Sequence, residues 1–188
     1  MKKQILTLTL ALLTLSIFAQ KEMKPALLVI DTQNDYLKYM CDEDKKTAME
    51  YINYSIMIFR EKNFPVIRVY NYNSGFGPAP GTDGFEFPSS IPVLDSDPKI
   101  IKNYGNAFKK TDLDKILKEK GINTVYLCGL SATACVLATY YGAMDNDYDV
   151  FMIKDALLSP DASYTQTIEQ ITETVSVNTM YFMFNHLK

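Results

Sequence analysis

The chain has 188 residues, of which 47% are apolar and 22% charged, and a formal net charge of −3. That is enough chain for one domain with its own core, and too apolar a composition for disorder. The mildly acidic balance argues against nucleic acid, whose phosphates need clustered Lys and Arg, and against an anionic membrane surface.

The first nineteen residues read as a secretory signal peptide. Lys2 and Lys3 make a basic start, Ile5 to Phe18 is apolar apart from Thr and Ser, and Ala19 offers a small residue for cleavage before Gln20 and Lys21. As a helix the apolar stretch would reach roughly 21 Å, short of the ~30 Å hydrocarbon core, so a cleaved signal is favoured over a retained anchor. No Cys follows, so a lipidated N-terminus is not expected. The reading is a single domain over 20–188, exported to the periplasm or the medium, with no stable membrane association after cleavage. Loss of Lys2 and Lys3 moves the net charge from −3 to about −5.

Along the mature chain, unbroken apolar runs alternate with helical patterns. Ala26 to Ile30 suits a strand covered on both faces. Lys45 to Lys62 predicts a helix, with Ala48, Ile52, Ile56 and Phe59 on one stripe. Pro65 to Tyr70 is the next strand, and Ile100-Ile101 lies in a short extended piece. Thr111 to Lys120 is a helix that Thr111 can cap and Gly121 can end. Thr124 to Cys128 is a strand, about Thr133 to Asn146 a helix, Asp149 to Ile153 a strand and Tyr164 to Thr174 a helix. Val175 to Phe184 reads as the start of a final strand. This alternation predicts an α/β fold, a three-layer α/β/α sandwich around a mostly parallel central sheet. Ligands in such sheets bind at the carboxyl ends of the strands, here Asp31, Asn71, Gly129 and Asp155. The segment from Asn71 to Pro98 holds five Pro and four Gly together with Phe76, Phe85 and Phe87. A connection of that length is functional or disordered, and its aromatics favour an ordered lid or pocket wall.

The chemistry is bounded first by what is missing. His186, near the end of the chain, is the only histidine, which leaves a Ser-His-Asp or Cys-His site without a well-placed imidazole. There is no C-x-x-C pair and no set of imidazoles for a zinc site, and no glycine-rich phosphate loop. No metal and no cofactor is therefore expected. Cys41, Cys128 and Cys135 are odd in number, so they are not a disulfide framework and at least one thiol is left over. Cys128 ends an apolar strand and reads as packing.

Three other residues carry a chemical signal, each with an ordinary structural alternative. Asp31 closes an apolar strand with no cation nearby in sequence, and a carboxylate there needs a partner or a role, or simply caps the strand end. Cys135 follows a strand and the small-residue turn Gly129-Leu130-Ser131-Ala132, which puts its thiol in the first turn of a helix. The dipole and free N–H groups there would lower a thiol pKa and could bind an oxyanion; plain packing is the alternative. Lys102, behind Ile100-Ile101, is by itself an ordinary surface charge. Together the three supply a base, a cation and a nucleophile near one end of a parallel sheet.

The segments Leu27 to Tyr36, Pro80 to Gly84, Ile100 to Phe108 and Val125 to Val150 resemble, in the same order, those of the isochorismatase-like cysteine hydrolase family. The resemblance covers roughly Ala26 to Val177. It implies that Asp31 takes the proton of Cys135, that Lys102 orients the pair, and that Cys135 attacks an electrophilic carbon. It also implies an oxyanion hole from the N–H groups of Ser131 and Cys135, and a cis peptide between Leu130 and Ser131. Nicotinamidase-like members hold a metal through His residues after the second strand. Here Tyr70-Asn71-Tyr72-Asn73 stands in that place, so a metal-dependent nicotinamidase is not expected. Ala134 stands where many members are polar or acidic.

The expected function is metal-independent hydrolysis of a small amide, imide or carbamoyl compound through a thioester-type intermediate. Vinyl-ether hydrolysis of the isochorismatase type ranks lower, because that substrate is cytoplasmic. A catalytically silent binding protein on the same scaffold and a thiol redox protein are the other readings. The partner is a small-molecule substrate, and a homo-oligomer is expected by analogy with the family. Gln33, Tyr36, Phe76, Tyr104 and Ala134 are candidate pocket residues, because flat apolar faces suit planar amides and Gln33 could hydrogen-bond them; core packing, or satisfaction of the strand end for Gln33, is the alternative.

Overall fold

Strand β1, Pro25–Ile30, is buried at all six positions, as a run with no polar break requires. The computed structural model describes residues 22–75 and 77–187, so the expected signal peptide at 1–19 and Phe76 lie outside the described residues. After β1 come a short turn of helix α1 (Asn34–Leu37), the long helix α2 (Asp42–Glu61), β2 (Val66–Asn71) and β3 (Lys99–Lys102). Helix α3 (Leu113–Glu119) leads to β4 (Thr124–Leu130), a π-helical turn (Ala132–Val136) and α4 (Leu137–Asp145). Strand β5 (Asp149–Leu158), α5 (Ala162–Ile171), β6 (Thr174–Val175) and α6 (Val177–Asn185) complete the described chain.

The six strands lie in the order β3-β2-β1-β4-β5-β6, and every neighbouring pair is parallel. Alternation along β1 then divides the core. Ala26, Leu28 and Ile30 face a cluster with Leu113, Val136, Tyr140 and Ile168, under α3, α4 and α5. Leu27 and Val29 face Ile52, Ile56, Phe59, Met180 and Phe184, under α2 and α6. The result is the three-layer α/β/α sandwich.

Several boundaries depart from the sequence expectations. The strand expected from Val175 is two residues of β6 followed by α6. The Ser176 hydroxyl accepts from the Thr179 N–H at 3.1 Å and caps the helix, and Val177, Met180 and Phe184 then fall on one buried helical face. Helix α2 starts at Asp42, earlier than Lys45, with Asp42, Glu43 and Asp44 placed favourably in its first turn. Strand β5 runs beyond Ile153 to Leu158, because an irregularity shifts its register against β4 and Asp155 takes a left-handed φ of 63°. The helix expected from Thr133 opens as the π-helical turn.

The long connection after β2 is pinned to the body. Phe85 and Phe87 are buried and stack on Tyr70 at 5.1 and 4.3 Å. Arg60 donates to both carboxylate oxygens of Asp97 at 2.8 and 2.5 Å, and Arg68 donates to the carbonyls of Asp95 and Asp97, each at 3.0 Å. The N–H groups of Asn34 and Asp35 donate to the carbonyls of Glu86 and Gly84. The segment is a wall beside the carboxyl end of β1.

Candidate active site

Asp31 follows β1 directly and takes φ 52°, a left-handed conformation that Asp tolerates better than most residues. Its N–H donates to the Val69 carbonyl at 2.8 Å, which fixes it between β1 and β2. Lys102 is the last residue of β3, two strands away from β1, and its long side chain crosses the gap. Lys102 Nζ donates to Asp31 Oδ2 at 2.7 Å, with Lys102 fully buried and Asp31 2% exposed. The other carboxylate oxygen, Oδ1, is buried and has no hydrogen-bond partner among the described residues.

Burial pushes the Asp31 carboxyl above its ordinary range, against the pull of Lys102. For Lys102 burial acts to lower the pKa, but the charges of Asp31 and Cys135 outweigh it and the ammonium is held above its usual value. The partly buried Cys135 feels both groups. Burial first, and then the Asp31 charge, push its thiol up to about 12 against the opposing effect of Lys102. The helix start alone predicts a lowered pKa, whereas burial and the neighbouring carboxylate act in the opposite direction here. Cys128 is fully buried, with Sγ 3.7 Å from the Leu28 carbonyl, and burial raises its pKa strongly.

The Leu130–Ser131 peptide is cis. The Ser131 carbonyl accepts from the N–H groups of Ala134 at 3.0 Å and Val136 at 3.2 Å, passing over Cys135 between them. The π-helical turn thus replaces the α-helical bond that would tie the Cys135 N–H to Ser131. Gly129 makes the turn possible. Its φ is 111°, and a Cβ there would lie 2.1 Å from the Ile30 carbonyl oxygen.

A cavity of about 350 Å³ opens over Cys135, lined by Asp31, Tyr36, Tyr39, Met40, Asn71, Leu130, Ser131, Ala134 and Cys135. Tyr36 and Ala134 were expected in it. Gln33 does not line it: Gln33 Oε1 accepts from the Asn71 N–H at 2.7 Å and Nε2 donates to the Asn71 carbonyl at 3.2 Å, so it ties the end of β2 to the end of β1. Tyr104 is also absent from the lining, and lies under Lys109, whose Nζ is 4.4 Å from the ring centre. Tyr39, Met40 and Leu130 are additions, as is Asn71, whose position at the end of a strand was its only sequence signal. Larger cavities of about 480 Å³ beside α2 and α6, and about 570 Å³ near Pro25 and Pro65, touch none of Asp31, Lys102 and Cys135. Among the described residues no group of three or more His, Cys, Asp and Glu side chains could hold a metal ion.

Fold and site define a parallel α/β protein with a cysteine beside a buried Asp–Lys pair at its strand ends. The chain belongs to the isochorismatase family, a hydrolytic family whose Isochorismatase domain matches residues 25–179. It is 32% identical to an uncharacterized isochorismatase family protein of Bacillus subtilis (strain 168), over 71% of this chain and 77% of that one. It is 28% identical to the "Probable inactive nicotinamidase" of Arabidopsis thaliana, over 73% of this chain and 82% of that one. Among solved structures it is similar to N-carbamoylsarcosine amidase from Thermoplasma acidophilum, at 27% identity and a TM-score of 0.71, covering 82% of this chain and 95% of that one.

Proposed function

We propose that this protein is an exported cysteine hydrolase that cleaves a small amide, imide or carbamoyl compound without a metal. The observation that carries the reading is the buried Lys102–Asp31 ion pair beside Cys135, with Asp31 Oδ1 left without a hydrogen bond among the described residues. A carboxylate with a raised pKa is a better base, and it stands next to a thiol that stays protonated at neutral pH. Sγ attacks the substrate carbonyl carbon as its proton passes to Asp31. The N–H groups of Ser131 and Cys135 take the oxyanion. As the C–N bond breaks, the proton on Asp31 passes to the leaving nitrogen, which departs as ammonia or an amine. Water then adds to the thioester while Asp31 receives one of its protons, and the returning proton restores the thiol as the acid is released. Lys102 opposes the effect of burial on Asp31 and holds the carboxylate in place through the ion pair. Similarity to an amidase of known structure supports C–N chemistry.

A silent binding protein is the second reading, favoured by the relative whose name marks it as inactive. The two separate in one assay. Residues 20–188 are incubated with a panel of small primary amides, cyclic imides and carbamoyl compounds, and released ammonia or amine is measured. The expected result is turnover that falls by roughly 10³-fold or more in Cys135→Ala, with an acyl adduct on Cys135 seen by mass spectrometry after rapid acid quench. A folded protein that turns over none of them overturns the hydrolase reading.

A further inference from the structure

Resting on that reading of the site, we infer that the cavity selects an uncharged substrate with a compact apolar acyl group and excludes carboxylate-bearing ones. The cavity, about 350 Å³, is at the small end of the range for ligand pockets, ~300–1,000 Å³. Its walls are Tyr36, Tyr39, Met40, Leu130 and Ala134, the first two aromatic and the others aliphatic. No Lys, Arg or His lines it among the described residues. Among the described residues the cation close to the chemistry, Lys102, is fully buried and already engaged by Asp31 at 2.7 Å. Away from the Ser131 and Cys135 N–H groups that the reacting carbonyl would face, a second carboxylate on the substrate would thus enter an apolar space with no partner, and an unpaired buried charge is strongly disfavoured.

The polar atoms that remain are neutral. Asn71 Nδ2 donates to the Tyr36 hydroxyl at 3.1 Å, which commits one amide hydrogen and leaves Asn71 Oδ1 with no hydrogen bond among the described residues. Burial raises the Tyr36 phenol pKa, so the ring carries no charge at neutral pH. An Asn carbonyl and a Tyr hydroxyl match the N–H and C=O of an amide without requiring an ion. Tyr36 is itself held in place: Gly77, at φ 119°, leaves only enough room for the hydroxyl, since a Cβ there would lie 2.2 Å from it.

The test measures binding, so that it stands apart from turnover. Cys135→Ala is titrated calorimetrically with two matched pairs that share the amide, butyramide with succinamate and benzamide with 4-carbamoylbenzoate, at neutral pH. Each neutral amide is expected to bind at least tenfold more tightly than its carboxylate-bearing partner. Ala134 is exposed at the rim, so Ala134→Arg, made in the same background, supplies the missing cation where a long side chain has room. It should narrow or reverse the preference. Equal or tighter binding of the carboxylates by the parent variant overturns the inference, as does failure of both neutral amides to bind. Amides that bind selectively but are not hydrolysed by the wild-type chain would sink the hydrolase reading and leave this one standing.

Discussion

At the scale of single residues, the sign of the Cys135 pKa shift separates the local environment from the tertiary one. A helix start alone stabilises a thiolate, but here burial and the Asp31 charge raise the thiol to about 12. In the proposed reaction, attack is then coupled to proton transfer. Asp31→Asn tests this, because Asn accepts the left-handed φ of 52° and leaves the backbone unstrained. Removing the carboxylate takes away one of the influences that raise the thiol and leaves the Lys102 charge beside the sulfur. The midpoint of Cys135 alkylation by iodoacetamide, followed against pH by peptide mass spectrometry, is expected to fall from near 12 in the parent chain. Cys128, fully buried, should stay unlabelled in both folded chains and serve as the control. A midpoint that stays or rises would remove Asp31 from control of the Cys135 thiol. Asp31, Lys102 and Cys135 were legible in the sequence because each sits at a strand end or just beyond one, in segments that resemble those of one family. Their coupling was not, because it depends on a lysine side chain crossing from β3 to the end of β1.

Elements were legible where their pattern allowed one answer. Strands β1, β2 and β4 are buried along almost their whole length, and an unbroken apolar run has few alternatives in an α/β chain. The stretch Val175 to Phe184 fits strand or helix equally by composition, and the Ser176 cap decides it. Helix α1 is too short to show a period, which is why Tyr39 and Met40, just beyond it, were not foreseen as pocket walls. Glycines at two element junctions make a paired prediction. A Cβ at Gly129 would lie 2.1 Å from the Ile30 carbonyl oxygen, and at Gly84 it would lie 2.1 Å from Asp35 Oδ2. The distances are the same but the obstacles differ. The first is backbone in the parallel ladder between β1 and β4, with φ 111° adding strain. The second is the far end of a side chain that can rotate. Gly129→Ala should therefore cost roughly 2–6 kcal/mol, overpacking and strained backbone together. Gly84→Ala should cost under about 1 kcal/mol. Urea denaturation measures both, and equal costs would show that the β1–β4 ladder yields as easily as a surface carboxylate.

For the whole molecule, the proposal of export has to be compatible with where the folded part begins. Asn123 Nδ2 donates to the Glu22 carbonyl at 2.6 Å, and the Lys24 N–H donates to Asn123 Oδ1 at 2.9 Å, which ties the chain down just before β1. Cleavage after Ala19 would remove neither that clamp nor any residue of β1. Export, if it occurs as proposed, would place the protein in an oxidising compartment, and Cys41, Cys128 and Cys135 are all free thiols. Stability then comes from the two apolar layers on the faces of the sheet, and no covalent bridge contributes. Expressed from its full sequence in a bacterial host, the protein is expected in the periplasmic or extracellular fraction with a mass that begins at Gln20. Its Tm should move by no more than about 1 °C when dithiothreitol is added, since removing a native disulfide would cost ~2–5 kcal/mol and shift Tm by several degrees. An uncut chain retained in the cytoplasm would overturn export while leaving the site chemistry intact. A Tm that falls by several degrees on reduction would instead mean that two of the three thiols pair in the exported protein. Were Cys135 one of them, the oxidised form would have no nucleophile and activity would appear only after reduction, so ammonia release measured in the same two buffers shows whether Cys135 is one of the bridged thiols.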